Sequence, residues 1–454
     1  MKQFTALVSA ATALALAACS DEPTRPGEHA SSAAAPQASI TPAAKLTFRQ
    51  ISAGYAYNCG VTANSVAYCW GYNYNGQLGI GNREGPENCS EYYPEPCSTR
   101  PLRVAGGLAF RTVSAGANHT CGITTSNAVY CWGANAYGEL GNGTHGSTVS
   151  EPVLVLGGLS FRSVSAGTGA LTCGVTTNNV AYCWGANYVG ALGTGTNRGP
   201  EDCGHEFFCG TRPVRVSGGL TFRSVNAGAQ YACGVTTSNV VYCWGYSGYG
   251  ALGLGTTTGP ETCVFAHGRR ARCSTRPRRV LGGRLFQQVV AGTSHVCGVT
   301  TGSAAYCWGF NMQGQLGIGN ATGPELCYDG PCSSRPLRVV GGLTFARLSV
   351  EGQNTCGVTT GGVTYCWGDN ISGELGNGSN TGPEGCHESS PCSTRPVRVV
   401  GGLTFRSVST GGAHSCGLTA DNRGYCWGKN GDGQLGIGTN DQNPHPRPVA
   451  IGSP

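Results

Sequence analysis

Beyond its first fifteen residues the chain has no apolar run long enough to span a bilayer, and it shows no helical period of apolar residues. Membrane-spanning helices and helical domains are therefore not expected in its body. Charge is scarce, at 11% of residues, and the net charge of +6 falls to +5 once Lys2 leaves with the leader. A balance that slight, over a chain of 454 residues, argues against a nucleic-acid partner. The motifs of catalysis are missing too. No nucleophile motif marks a Ser/His/Asp set, no carboxylate pair stands out, and no Gly-rich loop precedes a helix to cradle phosphate. Asn430-Gly431-Asp432-Gly433 is faintly like a calcium loop but lacks its later Glu. No Cys-x-x-Cys pair has a second half-site and the nine histidines keep no fixed spacing to the cysteines, so neither a metal nor a cofactor is expected. A non-enzymatic chain is the reading these absences favour.

Glycine and cysteine are present in excess, at 75 and 25 residues. The cysteine count is odd because of Cys19. Lys2, the apolar run from Phe4 to Ala15 and Leu16-Ala17-Ala18-Cys19 resemble a bacterial lipoprotein leader, with a signal peptide over 1–18 and a lipidated Cys19. A plain secretory signal shares the same basic and apolar regions, and either one exports the chain. Ser20 directly after the cysteine favours the outer membrane as destination, so the expected form is an exported outer-membrane lipoprotein, facing the periplasm or the surface. Residues 19–45, rich in Ala, Ser, Pro, Thr and Glu, form a flexible linker, and 46–454 form one domain. Export makes disulfides the default for the other 24 cysteines.

All seven tryptophans follow a cysteine in a Cys-Trp-Gly string, at Trp70, Trp132, Trp184, Trp244, Trp308, Trp367 and Trp427. Gaps of 52 to 64 residues between them mark a repeat, in which each unit buries its apolar face against its neighbours. Each unit runs F-R-x-V-S-A-G, C-G-V-T-T, a turn, V-x-Y-C-W-G-x-N-x-x-G-x-L-G-x-G, a loop, and R-P-x-R-V-x-G-G-L. Short alternations between Gly, Asn and Pro turns read as about four strands per unit, so the fold class is all-β.

In each unit two cysteines flank a short turn at a separation that sets them opposite one another on a hairpin. The pairs are Cys59 and Cys69, Cys121 and Cys131, Cys173 and Cys183, Cys233 and Cys243, Cys297 and Cys307, Cys356 and Cys366, and Cys416 and Cys426. Tyr68 and Trp70 point away from Cys69, onto a face expected to pack against the next unit. Five units carry an insertion framed by a second pair: Cys89 and Cys97, Cys203 and Cys209, Cys263 and Cys273, Cys327 and Cys332, and Cys386 and Cys392. Leaving the repeat at one point, these loops project from one rim. Their frames match but their contents differ, which makes Tyr92, Tyr93, His205, Phe207, Phe208, Phe265, His267, Arg269, Arg270, Tyr328 and His387 candidate partner-binding residues. Glu87, Glu201, Glu261, Glu325 and Glu384 recur beside Arg100, Arg212, Arg276, Arg335 and Arg395, and are expected to pair with them.

Ala115-Gly116-Ala117-Asn118-His119 followed by Gly133-Ala134-Asn135-Ala136-Tyr137-Gly138-Glu139-Leu140-Gly141-Asn142-Gly143, with equivalents in every unit, resembles the regulator of chromosome condensation repeat. The resemblance implies a seven-bladed β-propeller. It departs from that pattern where Cys-Gly replaces an aliphatic residue and where the histidine persists only as His119, His295 and His414, with Tyr57 and Tyr231 in two other copies. Phe48 to Gly54 and Arg447 to Ile451 read as terminal strands that share one blade and close the ring. Nucleotide exchange on a nuclear GTPase does not transfer to an exported chain. Three functions stay open: a module binding protein or glycan at the cell surface as a monomer, an inhibitor of an exported enzyme similar to propeller-type β-lactamase inhibitors, and a propeller lyase or hydrolase with a central site.

Overall fold

The computed structural model describes residues 46–90, 95–204, 206–327 and 330–454. Both the leader over 1–18 and the 19–45 linker with Cys19 lie outside them. Seven antiparallel sheets follow one another along the chain as the seven blades of a β-propeller. Blade 1 holds Phe48–Ala53, Tyr57–Thr62, Ala67–Tyr72 and Pro96–Arg103 in chain order, and the first strands of successive blades touch around the centre. In blades 1, 3, 4, 5 and 6 the described part of the insertion adds a short fifth strand, such as Glu87–Asn88, antiparallel to the fourth at the outer edge. Blades 2 and 7, which lack the insertion, keep four strands.

Cys59 lies directly opposite Cys69 with Cα atoms 4.1 Å apart, the close spacing of a non-hydrogen-bonded pair, and the two are bonded. All twelve expected disulfides are present. The hairpins turn as anticipated, since the third loop residue takes a left-handed backbone, at Ser65 (φ 64°), Asn127 (66°) and Asn422 (66°) among others.

Each tryptophan lies on the face opposite its cysteine and is fully buried, but against the preceding blade rather than the next. Trp132 of blade 2 covers Cys59, Cys69 and Val61 of blade 1, and its indole N–H donates to the Gln77 carbonyl at 2.9 Å. Strand alternation says which side chains share a face. The direction in which the blades succeed one another decides which neighbour that face meets, and a single strand does not carry it. Burying one indole removes roughly 200 Å² from water, an upper bound of about 5 kcal/mol.

The terminal strands do not share a blade. Phe48–Ala53 belongs to blade 1 and Asp441–Ala450 to blade 7. Their junction repeats the internal ones: Phe48 N–H donates to Asn422 O at 2.9 Å as Phe110 N–H does to Ser65 O at 2.8 Å. The histidine positions brace these junctions as well. His119 Nε2 meets Thr172 Oγ1 at 2.8 Å, His295 meets Thr355 Oγ1 at 2.9 Å, and His414 meets Asn58 Oδ1 at 3.0 Å. Burial lowers their pKa values to about 4, 3 and 3 respectively, so all three are neutral braces at physiological pH.

Candidate functional site

One rim carries the turns between first and second strands, the G-x-N-x-x-G turns after the third, and the five hairpins. A buried asparagine fixes each G-x-N-x-x-G turn except in blade 4, which has Ser247 there. Asn187 accepts the N–H of Leu192 at 3.0 Å and donates to Thr196 O at 3.1 Å, which ties both ends of its loop. The variable residues between are left on the rim.

The recurring glutamates of the hairpins do not pair with the arginines expected for them. The register beyond Cys69 skips Thr99 to Pro101, which leaves the Thr99 N–H without a strand partner, and the Glu87 carboxylate accepts it at 3.0 Å. Glu201, Glu261, Glu325 and Glu384 take the N–H of Thr211, Thr275, Ser334 and Thr394 in the same way, at 2.9 to 3.2 Å. Glu261 also pairs with Arg278 at 3.5 Å, not with Arg276. A sequence reading sees two opposite charges in register; the bulge supplies a better partner, a buried N–H with no other acceptor.

Between the hairpins of blades 3, 4 and 5 lies a cleft of about 770 Å³. Its floor is aromatic: Phe207 meets the Tyr188 ring edge-on at 5.5 Å and Tyr137 at 6.1 Å, and Tyr249 meets Tyr246 at 5.2 Å. Its wall is basic, formed by Arg269, Arg270 and Arg272, all exposed. Arg270 and Arg272 have no ion-pair partner among the described residues. Leu326, 79% exposed, and Cys327 complete the lip. Gln230 donates to the Tyr188 hydroxyl at 2.9 Å, and burial pushes the Tyr188 pKa to about 12, so the phenol stays un-ionised. The hairpins of blades 3 and 4 touch: His267 N–H donates to Glu206 at 3.3 Å.

Of the residues expected to bind a partner, Phe207, Arg269 and Arg270 line this cleft, and His267 stands in the same hairpin. Phe208 lies outside it, under the Arg198 guanidinium at 5.5 Å. His387 lines a second hollow, of about 370 Å³, with Met312 between blades 5 and 6. Tyr92, Tyr93, His205 and Tyr328 lie outside the described residues, as does the Phe265 side chain. Sequence reasoning missed Tyr137, Tyr188, Tyr246 and Tyr249, which come from blade turns rather than insertions. Their signal was an aromatic at the free positions of that turn in blades 2, 3 and 4.

Perturbed carboxyls lie elsewhere. Burial raises Glu351 and Glu374 to about 8, and for Glu374 the Asp369 carboxylate adds to the shift. Glu351 ends the first strand of blade 6 and Glu374 sits in the turn after that blade's third strand, and neither lines the cleft. The cleft itself is lined by aromatic rings, guanidiniums and the Gln230 amide.

Two models of the regulator of chromosome condensation (RCC1) repeat match, one at 48–77, 110–139, 222–251 and 405–434, the other at 66–123, 126–173, 238–299 and 421–453. Together they take in more than half of the chain. The chain belongs to the RCC1 repeat family. Among relatives of this RCC1-type propeller, the ultraviolet-B receptor UVR8 of Arabidopsis thaliana is 28% identical over 392 residues, 86% of this chain and 78% of that protein. The E3 ubiquitin-protein ligase HERC2 of Homo sapiens is 28% identical over 401 residues, 85% of this chain but only 7% of that protein. Among solved structures, yeast RCC1 (Prp20) bound to Kap60 has a TM-score of 0.65 at 19% identity, covering 89% of this chain and 85% of that one. Human WBSCR16 has a TM-score of 0.66 at 19% identity, covering 86% and 94%. At these identities the likeness concerns the fold.

Proposed function

We propose that the chain is a non-enzymatic interaction module of the cell envelope, tethered by lipid at Cys19, that binds a protein through the cleft between the hairpins of blades 3, 4 and 5. What carries the reading is the cleft's composition: aromatic rings meeting edge to face beside Arg270 and Arg272, which make no ion pair among the described residues, on short hairpins braced by disulfides. Tyrosine, phenylalanine and arginine anchor protein interfaces, and a braced loop has little ordering entropy left to lose on binding. Propellers of this family also bind proteins elsewhere: yeast RCC1 is seen with Kap60, and Prp20p is described with binding to Gsp1p and histones.

The test is affinity capture from envelope extract by the oxidised chain and by a Tyr137→Ala, Phe207→Ala, Arg270→Ala variant. The expected result is a partner held by the native chain, released at least about tenfold by the variant, and retained by Arg83→Ala, an arginine of the blade 1 turn. Equal capture by all three chains would sink the assignment of the cleft.

A further inference from the structure

The opposite face of the ring gathers arginine at two positions of the repeat. Every first strand begins there and every fourth strand ends there, so the second residue of one and the last residue of the other are brought to the same side. In five blades the first of these positions is arginine: Arg49, Arg111, Arg162, Arg223 and Arg406. In five blades so is the second: Arg103, Arg215, Arg279, Arg338 and Arg398.

The inner five are held by the following blade. Arg49 Nη2 donates to the carbonyls of Phe110 at 2.6 Å and Arg111 at 2.9 Å, and Arg406 closes the ring onto the Arg49 carbonyl at 2.8 Å. Carbonyl acceptors orient a guanidinium without cancelling its charge. The outer five are exposed and make no ion pair among the described residues. Asp421, in the turn between the second and third strands of blade 7, is held by Arg423 at 3.1 Å, and Glu151 stands exposed three residues before Leu154 on the outer edge of blade 2.

Apolar groups stand between the charges. Leu154 fills in blade 2 the place of an outer arginine and is 47% exposed; Leu281 and Leu285 flank the Gly282-Gly283 connection at 44% and 46%. Chain entry is on this face as well, since Leu46 packs against Trp70 and Phe48 opens the first strand. Arginines without counter-charge, interspersed with exposed leucines where the linker joins, fit an anionic bilayer surface. Phosphate headgroups meet the guanidiniums and the interfacial layer accepts the leucines.

We infer that this face rests on anionic phospholipid headgroups, which directs the cleft of the other rim away from the membrane. The orientation rests on the reading of a lipid anchor at Cys19. The affinity of the face for such a surface does not.

The experiment uses the mature chain from Ser20 onward, exported behind an ordinary cleavable leader so that no lipid is attached. It is sedimented with vesicles of phosphatidylglycerol and phosphatidylethanolamine, and with phosphatidylcholine vesicles. Binding to the anionic vesicles should exceed the other by at least about tenfold and vanish at about 1 M salt, where the screening length is near 3 Å. Arg215→Glu, Arg279→Glu and Arg338→Glu together should reduce it by at least about tenfold, while Arg270→Glu with Arg272→Glu on the cleft rim leaves it unchanged. Should the triple variant fail to fold, Leu281→Ser with Leu285→Ser gives the same reading through a several-fold loss. Equal binding to both vesicle types, or an equal loss from the rim variant, overturns the inference. So does duplex DNA or inorganic phosphate binding strongly to a chain that ignores both vesicles. The anchor is read separately from the mass of the Cys19 peptide out of native membranes, and an unmodified Cys19 leaves the vesicle result standing.

Discussion

Gln77, Gln315 and Gln434 occupy one position of the blade turn, and each accepts an N–H two residues back at 2.9 Å. Glu374 accepts the same bond from Ser372 at 2.9 Å, but through a carboxyl group whose pKa burial, with Asp369 nearby, has pushed up to about 8. A carboxyl whose folded pKa lies above its unfolded value of about 4.5 supports the fold fully below that pH and loses this support as pH rises toward 8. Glu374→Gln keeps the acceptor and removes the ionisation. It should gain of order 1–3 kcal/mol at pH 8 and almost nothing at pH 4.5, read as the difference in Tm between variant and native chain at the two values. A variant less stable at pH 8 would mean that the charge has a partner the geometry does not show.

The hairpin is the element that the sequence disclosed best. A fixed cysteine separation and a turn residue tolerant of positive φ located seven hairpins, the face carrying the disulfide, and the face carrying the tryptophan. Those are local properties of paired strands. Which neighbour receives the tryptophan, and which partner a glutamate takes at a bulge, depend on contacts made about 60 residues away or on a register shift. Neither leaves a trace in composition. The cleft was half legible for the same reason: Phe207, Arg269 and Arg270 stand out inside variable insertions, whereas Tyr137 and Tyr188 sit inside the repeat and look like part of it.

The two disulfide sets should differ in consequence. Replacing Cys59 and Cys69 by alanine removes a link buried between two blades and is expected to cost about 3 kcal/mol, lowering the Tm of the whole ring. Replacing Cys327 and Cys332 releases only an edge hairpin. There hydrogen exchange of residues 325–327 should speed up with the Tm almost unchanged.

At the scale of the whole molecule, two groups of buried residues titrate against each other. His119, His295 and His414, lowered to about 4, 3 and 3, contribute stability that is complete above about 6.5 and lost as pH falls through that value toward their folded pKa. Glu351 and Glu374, raised to about 8, contribute stability that is complete below about 4.5 and lost as pH climbs. Between the two unfolded values the slopes oppose. A scan of Tm from about pH 3.5 to 8.5 should therefore rise steeply to about 4.5, rise more gently to a maximum near 6.5 because three histidines outweigh two glutamates there, and decline above it. A monotonic rise to the alkaline end would contradict the burial of the two glutamates.

The junction between blades 7 and 1 uses the same hydrogen bonds as the six junctions joined by chain. Ile451 bonds the Gly424 carbonyl as Val104 bonds that of Ala67, and Gly452 bonds Gly436 as Ala105 bonds Gly79. Val104 and Phe110 are separated by Ala105-Gly106-Gly107-Leu108-Ala109; Ile451 and Phe48 would be separated by Gly452-Ser453-Pro454-Leu46-Thr47 if the ends were joined directly. The lengths agree residue for residue. A chain spliced from position 454 to 46, with Gly-Gly at 453 and 454, and reopened between Gly401 and Gly402 has every strand it needs in an unbroken order, so the ring is specified by the succession of its blades and tolerates an opening at any of the seven junctions.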